Sequence, residues 1–390
     1  MSFGVILAAG ESNELFPEEL TECLTEVRVE QSLDEPARFG IRFQEDLQDG
    51  EPSLMKKPQL QAEQLVTVVA PAGDGTVCLV RGPITEVKCS ITLGGPGSWV
   101  EIRGQDRRVE LDRECFRHAW SGRASDAATA ILAGYRFLPD VEATTKVYSP
   151  LSGTLNQRAT DLQFVRRIGR LNNLHFWLSY ECQLNGLDPL RQRLKVLETA
   201  HLKPSPPRPN GGAAVLPVAG TPDREIPLVP SNDLTLRVNV GPEAPGRAAC
   251  QNVTAFDLDV DVERPNSFDG TALNDRDLKE DRPAADDPQD SLSGRKLAAV
   301  TDKPRKLCIT SAGDASEVQP KAEAALTDAG WYINATASTT AYMLGGLLAP
   351  HDVIEVEGLG SDHSGPYQIK SVTHVINAAD HHMDLGLRRR

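Results

Sequence analysis

Paired cysteines, aromatic rings, long apolar runs and positive charge are all scarce in this 390-residue sequence. Aromatic residues are 5% of the chain, so few are on offer for the concave face that a receptor- or glycan-binding β-sandwich, an alternative reading of this chain, would need. The seven cysteines (Cys23, Cys78, Cys89, Cys115, Cys182, Cys250 and Cys308) are scattered and odd in number, with no C-x-x-C. That spacing argues against a disulfide framework and a cysteine zinc site, and for reduced thiols in a protein made in a cytosol. No basic start followed by an apolar core is present, so no signal peptide is expected. The longest apolar run, Ala341 to Ala349, holds two glycines and falls far short of the roughly 20 residues of a membrane span. Lys+Arg number 41 against 55 Asp+Glu, a net charge of −14. Such a chain is not expected to bind nucleic acid by neutralising phosphates. The acidity serves solubility instead.

Catalytic signatures are missing as well. There is no G-x-S-x-G, and no serine, cysteine or carboxylate pair is singled out by spacing. The opening Gly4 to Gly10 resembles the strand and glycine loop of sugar-nucleotide transferases. Those enzymes hold a triphosphate with a basic residue just after the loop, whereas Glu14, Glu18 and Glu19 follow here. A first strand and a plain loop is the simpler reading, with a nucleotidyltransferase-like enzyme as the alternative. Asp257, Asp259 and Asp261 alternate along one strand face but lack the glycine turn and terminal glutamate of a calcium loop. Five of the eight histidines fall in the last forty residues, but His381 and His382 cannot both point inward from one regular strand. No metal and no cofactor is expected.

What the chain does have is β grammar. Cys23 to Glu30 and Phe39 to Phe43 alternate apolar and polar residues around an Asp34-Glu35-Pro36 turn. Residues 45–57 read as a polar loop. Further strands are predicted over 64–69, 77–81, 84–91 and 99–103, broken at Gly73 to Gly75, Gly82-Pro83 and Gly94 to Gly97. Short strands at this spacing suggest a barrel or sandwich. Ser125 is expected to cap a helix over 126–133. A stronger helix starts at Thr160, with capping-box spacing to Gln163 and Asp161 at its positive end. Its Leu162, Val165 and Ile168 share a face, and Arg166, Arg167 and Arg170 read as a solvated one. A strand through His175 to Leu178 follows. The proline-rich stretch 203–232 reads as a linker, and 264–305 as a polar, acidic insertion. A helix over 316–329 precedes the final β layer.

The last forty residues combine a strand, Gly358-Leu359-Gly360, a polar turn through Ser364-Gly365-x-Tyr367, a Val372-Thr373-His374 strand, and a closing Leu387-Arg388-Arg389. Upstream, Thr160-Asp161-x-x-Phe164 opens a helix followed by Phe176-Trp177, and Gly330-Trp331-Tyr332 lies between. In this order the three stretches resemble the phage late-control D family. Those are the tail hub proteins of contractile phages, including the hub portion of VgrG-type spikes and related contractile injection systems. The resemblance implies a mainly β fold with an α+β middle domain: a barrel-like hub domain over 1–113, a small α/β domain over 114–202, the linker, and a second barrel-like domain over 233–390. It further implies a ring-shaped homotrimer joining a hexameric tail tube to a central spike. Such a part is made in the bacterial cytoplasm and then built into the particle, and its role is structural, not enzymatic. Thr160, Asp161, Phe164, Trp177, Trp331, Gly358, Gly360, Ser364, Gly365, Tyr367 and His374 are its motif residues, with His374 read as a packing or hydrogen-bonding residue.

Overall fold

The computed structural model describes residues 4–45, 47, 51–72, 75–92, 97–149, 154–185, 193–206, 233–241, 251–273, 280–281, 284–286, 297–301, 305–311 and 315–390. The first part holds β1 (Ile6–Ala9), β2 (Glu14–Leu15), α1 (Glu18–Glu22), β3 (Leu24–Ser32), β4 (Arg38–Gln44), β5 (Leu65–Ala72), β6 (Gly75–Ser90) and β7 (Trp99–Gln105). The alternation in the sequence sets the inward face: Val27 and Val29 of β3, and Phe39, Ile41 and Phe43 of β4, are buried in one core with Leu7, Val66, Val68, Leu79, Val100 and Ile102. The expected polar loop after β4 is partly ordered, because buried Glu45 accepts backbone hydrogen bonds from Ser53 and Leu54 at a 3-10 turn, Leu54–Lys56.

The two strands expected on either side of Gly82-Pro83 are one strand. β6 pairs with β5 as far as Pro83 and with β7 from Ile84 onward. It is the corner on which the sheet folds over into two layers. A Cβ on Gly82 would lie 1.8 Å from the Gln105 carbonyl oxygen, so only glycine lets the two backbones cross there. Gly82→Ala is therefore expected to cost at least about 1–3 kcal/mol, as forced overpacking does. Urea unfolding of the variant checks this, and an unchanged midpoint would refute the corner argument.

The middle part holds β8 (Cys115–Trp120), β9 (Gly122–Arg123), α2 (Ala124–Gly134), β10 (Leu138–Val141), β11 (Val147–Tyr148), β12 (Leu155–Thr160), α3 (Asp161–Leu171), β13 (His175–Asn185) and β14 (Arg193–Lys203). Both longer helices pack on a core of Leu111, Ala128, Leu132, Phe164, Val165, Ile168 and Leu202. Ser125 is not the cap of α2. The helix begins one residue earlier, the Asp126 carboxylate accepts the Arg123 N–H at 3.0 Å, and buried Ser125 donates its own N–H to Thr144. β8 and β12 form a two-stranded ribbon that the sequence did not announce, because β8 is exposed along nearly its whole length and so shows no alternation.

The last part holds β15 (Thr235–Arg237), β16 (Ala255–Val260), β17 (Ser267–Leu273), β18 (Glu280–Asp281), β19 (Ala284–Asp286), α4 (Leu297–Val300), β20 (Lys306–Ser311), α5 (Ala315–Ala329), β21 (Ile333–Thr340), α6 (Ala341–Leu344), β22 (Val353–Glu357), α7 (Gly360–His363), β23 (Gly365–Asn377) and β24 (His381–Arg389). The expected antiparallel meander is present as β22–β23–β24, continued by β21 and β16. Its polar turn is a helical turn, α7. Of the stretch predicted as a polar insertion, residues 274–279, 282–283, 287–296 and 302–304 lie outside the described residues; within it β17 pairs with β18 and β19, and with β20 just beyond it, and buries Phe268. Most of the predicted linker, 207–232, and residues 93–96 of the glycine-rich loop lie outside the described residues.

β3 also pairs with β23, Val29 opposite His374, so the first and last parts share one continuous sheet. Its strands follow an open path from β10 to β16, and among the described residues no closed barrel forms. The fold is mainly β, as expected, but the barrel expectation gives way to an open sheet, because β3 spends its free edge on β23. Among the described residues, no helix is long and apolar enough to cross a membrane.

Candidate functional site

The three parts meet at the turn between β3 and β4. Leu33 donates its N–H to Lys370 O of β23 at 3.0 Å. His175 of β13 lies 3.2 Å from Asp34 Oδ1, and Arg166 of α3 donates to the Asp34 carbonyl. The hydrogen bond with His175 holds the Asp34 carboxyl below its ordinary range, against partial burial, with Arg388 and Lys370 charges adding to it. Arg166 is thus a docking residue, not part of a freely solvated face, while Arg167 and Arg170 are exposed as expected.

Behind the turn sits Arg108, 3% exposed. It donates to Phe176 O of β13 at 2.8 Å, to Glu35 O of the turn at 3.0 Å, and to the Asp106 carboxylate. Asp106 also accepts the Ala37 N–H at 2.6 Å. Burial opposes the guanidinium charge, but the adjacent Asp106 carboxylate outweighs it and keeps Arg108 ionised. A second buried cluster lies alongside. Glu198 of β14 receives Arg81 of β6 at 2.9 Å and also Arg107, which pairs with Glu110. Arg81 Nε donates to Asn13 Oδ1 at 3.1 Å, as does Thr67 Oγ1 at 2.9 Å. Asn13 belongs to the loop after β1. That loop turns back into β2, not into a helix, and its buried Asn13 fastens the first part to the seam.

A third cluster joins the middle part to the C-terminal meander. Trp177 is stacked between His351, 3.9 Å away, and His201, 4.9 Å away. His351 and Gln368 both bond Ser205 Oγ, and Gln368 accepts from Arg388 Nε at 2.8 Å. The guanidinium groups of Arg388 and Arg390 each lie 4.3 Å from the Trp331 ring. Burial pushes His351 far down, helped by nearby cationic groups. Burial likewise lowers Arg388 to about 10. Chemically these clusters hold fixed charges and neutral imidazoles between packed layers. Among the described residues there is no group of three or more His, Cys, Asp or Glu that could hold a metal ion.

The motif residues fall into four places. Ser364, Gly365 and Tyr367 surround Arg389, which donates to Ser364 O at 2.8 Å and lies over the Tyr367 ring. A Cβ on Gly365 would press on that guanidinium, and Trp331 carries the neighbouring arginines. Thr160 caps α3 by accepting from Gln163 N, and it donates to Asp112. Asp161 accepts from Tyr135 and Gln157, while Phe164 stacks on Trp120. Trp177 belongs to the histidine stack. His374, fully buried, pairs with His381 at 3.0 Å. Gly358 and Gly360 shape the turn after β22 with φ of +91° and +78°; Gly358 abuts Asn239, whereas a Cβ on Gly360 would meet open space. Arg108, Asp106, Arg81, Glu198 and His351 were missed, since nothing in a charged residue's local sequence signals burial.

A cleft of about 610 Å³ runs along the β8–β12 ribbon, lined by residues 115–119 and 156–158. Among the described residues, each ribbon strand pairs only with the other.

No protein-family model matches the chain, and no curated protein does. Solved structures do. The tail protein from Neisseria meningitidis MC58 is 15% identical, with a TM-score of 0.61 over 99% of this chain and 96% of that one. The 43 kDa tail protein of prophage MuSo2 from Shewanella oneidensis is 12% identical, with a TM-score of 0.61 over 98% and 97%. A chain of a PdpA–VgrG complex is 9% identical, with a TM-score of 0.50 over 99% of this chain and 64% of that one. The resemblance read from the sequence is borne out at the level of fold: this chain has the fold of phage tail and VgrG-like proteins.

Proposed function

We propose that the chain is the baseplate hub subunit of a contractile phage tail or contractile injection system. Three copies would form a ring that joins the hexameric tail tube to a central spike. The single observation that carries this reading is the end-to-end match to two tail proteins, nearly complete in both directions. The buried ionic seams support it, because a part that transmits force needs its layers fixed relative to one another, and oriented buried pairs fix geometry more than they add stability. The work is mechanical, not enzymatic. The division at 1–113, 114–202, 203–232 and 233–390 is kept as the domain proposal, and the motif residues are assigned structural roles.

A closed ring of three requires two unlike patches on each copy. Two edges of opposite charge, unpaired among the described residues, suit this. The β8–β12 ribbon presents Arg117, His118 and Arg158, and β16, at the end of the large sheet, presents Asp257 and Asp259. Light scattering on the purified chain, with and without its spike protein, is expected to give three times the 42.3 kDa of one chain. A monomer under both conditions would overturn the ring.

A further inference from the structure

The face of β1, β5 and β6 turned away from the first core packs on β13 and β14. Ala8, Val69, Cys78 and Leu194 are buried in this seam, with Tyr180, Cys182 and Val196 against them. Tyr180 and Cys182 are two residues apart on β13 and so point the same way, toward β6. Tyr180 confirms the direction by donating to Arg81 O of β6 at 3.4 Å. Across this seam Cα atoms of β6 and β13 come within 8 Å of each other. Stacked sheets ordinarily lie about 10 Å apart. Cys78 is buried, Cys182 is half-buried, and Cys182 packs against the cluster that holds Cys78. Disulfides form across Cα separations of about 4.4–6.8 Å, which such a close seam can supply.

We infer that Cys78 and Cys182 are a thiol pair that closes into a disulfide when the protein leaves a reducing compartment, covalently locking β6 to β13. The oxidant is a small-molecule disulfide. The more accessible Cys182, as its thiolate, attacks one sulfur of that molecule, forms a mixed disulfide and expels one thiolate. Cys78 then gives its proton to solvent, attacks the Cys182 sulfur and expels the second. Two protein thiols lose two electrons and two protons, and the oxidant leaves as two thiols. Burial holds the Cys78 thiol well above its ordinary pKa, so the second step is the slow one and quickens as pH rises. The inference does not depend on the hub reading.

The test uses the full chain, reduced and then incubated with oxidised glutathione, followed by alkylation and peptide mapping without reductant. The expected result is a linked Cys78–Cys182 peptide and a melting temperature roughly 5 °C above that of the reduced protein, because the bond closes a loop of about a hundred residues. Cys182→Ala and Cys78→Ala should each lose both the link and the rise. Cys182→Ala sits at the half-buried end and keeps the test valid if the Cys78 variant fails to fold. Glutathione retained on Cys182 with Cys78 still open to alkylation would overturn the inference. So would a linked chain that melts below the reduced one. Adducts confined to the exposed Cys115 and Cys308 would overturn it equally.

Discussion

Asp106→Ala should cost about 3–5 kcal/mol of folding stability, the usual penalty for removing one partner of a buried ion pair. Arg108 stays charged at 3% exposure only because Asp106 lies against it at 2.6 Å. Without the carboxylate, a buried guanidinium keeps two carbonyl acceptors, Phe176 O and Glu35 O, and no counter-charge. The Ala37 N–H loses its acceptor as well. Replacing both partners, Asp106→Leu with Arg108→Met, should cost less than the single change, because no charge is then left in the seam. Urea titrations of the three proteins decide it. A single variant within about 1 kcal/mol of wild type would show that the turn is held by packing and not by this pair.

Acid should loosen the C-terminal meander. Burial, and then the charge of its neighbour His381, lowers His374 to about 3; burial also lowers His381 to about 4, with Asp380 opposing and His382 assisting. In the unfolded chain both titrate near the ordinary 6.5. As pH falls below that value the unfolded state takes up protons that the folded state refuses, so the stability is full above about 6.5 and is lost progressively toward 4 and 3. At pH 5 the loss from His374 alone is about 2 kcal/mol, at roughly 1.4 kcal/mol per pH unit. His381 is partly exposed and contributes less. His351 and His201 act in the same direction through burial. Asp34 and Asp140, held below their ordinary range, extend the loss to lower pH. Unfolding free energies measured from pH 7.5 to 5 should fall steadily, and His374→Gln should flatten the slope by nearly one proton. A variant with the wild-type slope would place the acid sensitivity elsewhere.

These two predictions rest on side chains that differ in how far the sequence exposed them. His374 stood in a strand whose alternation already set its face, and its burial follows from Val372 and Ile376 being core residues on the same side. Asp106 and Arg108 sit in a polar run, Gln105 to Arg108, which reads as surface. The same contrast holds for helices. The α3 cap was legible because Thr160 Oγ1 accepts the N–H of Gln163 only three residues on, and the cap of α2 was misplaced because Ser125 was claimed by Thr144, on a distant loop.

The sequence by itself determined the mainly β character, the strand alternation, the Thr160 cap, and the C-terminal meander with its glycine turns. Each of these is decided within a few residues, by side-chain period, left-handed backbone geometry or a neighbouring hydrogen bond. Only the tertiary structure decided that β6 runs on through Gly82, that β3 pairs with β23 to leave an open sheet, and that Arg81, Arg108, Glu198 and His351 lie inside. Those outcomes depend on partners tens to hundreds of residues away. The cost of burying a charge is set by what surrounds it after folding, and a local pattern carries no record of that.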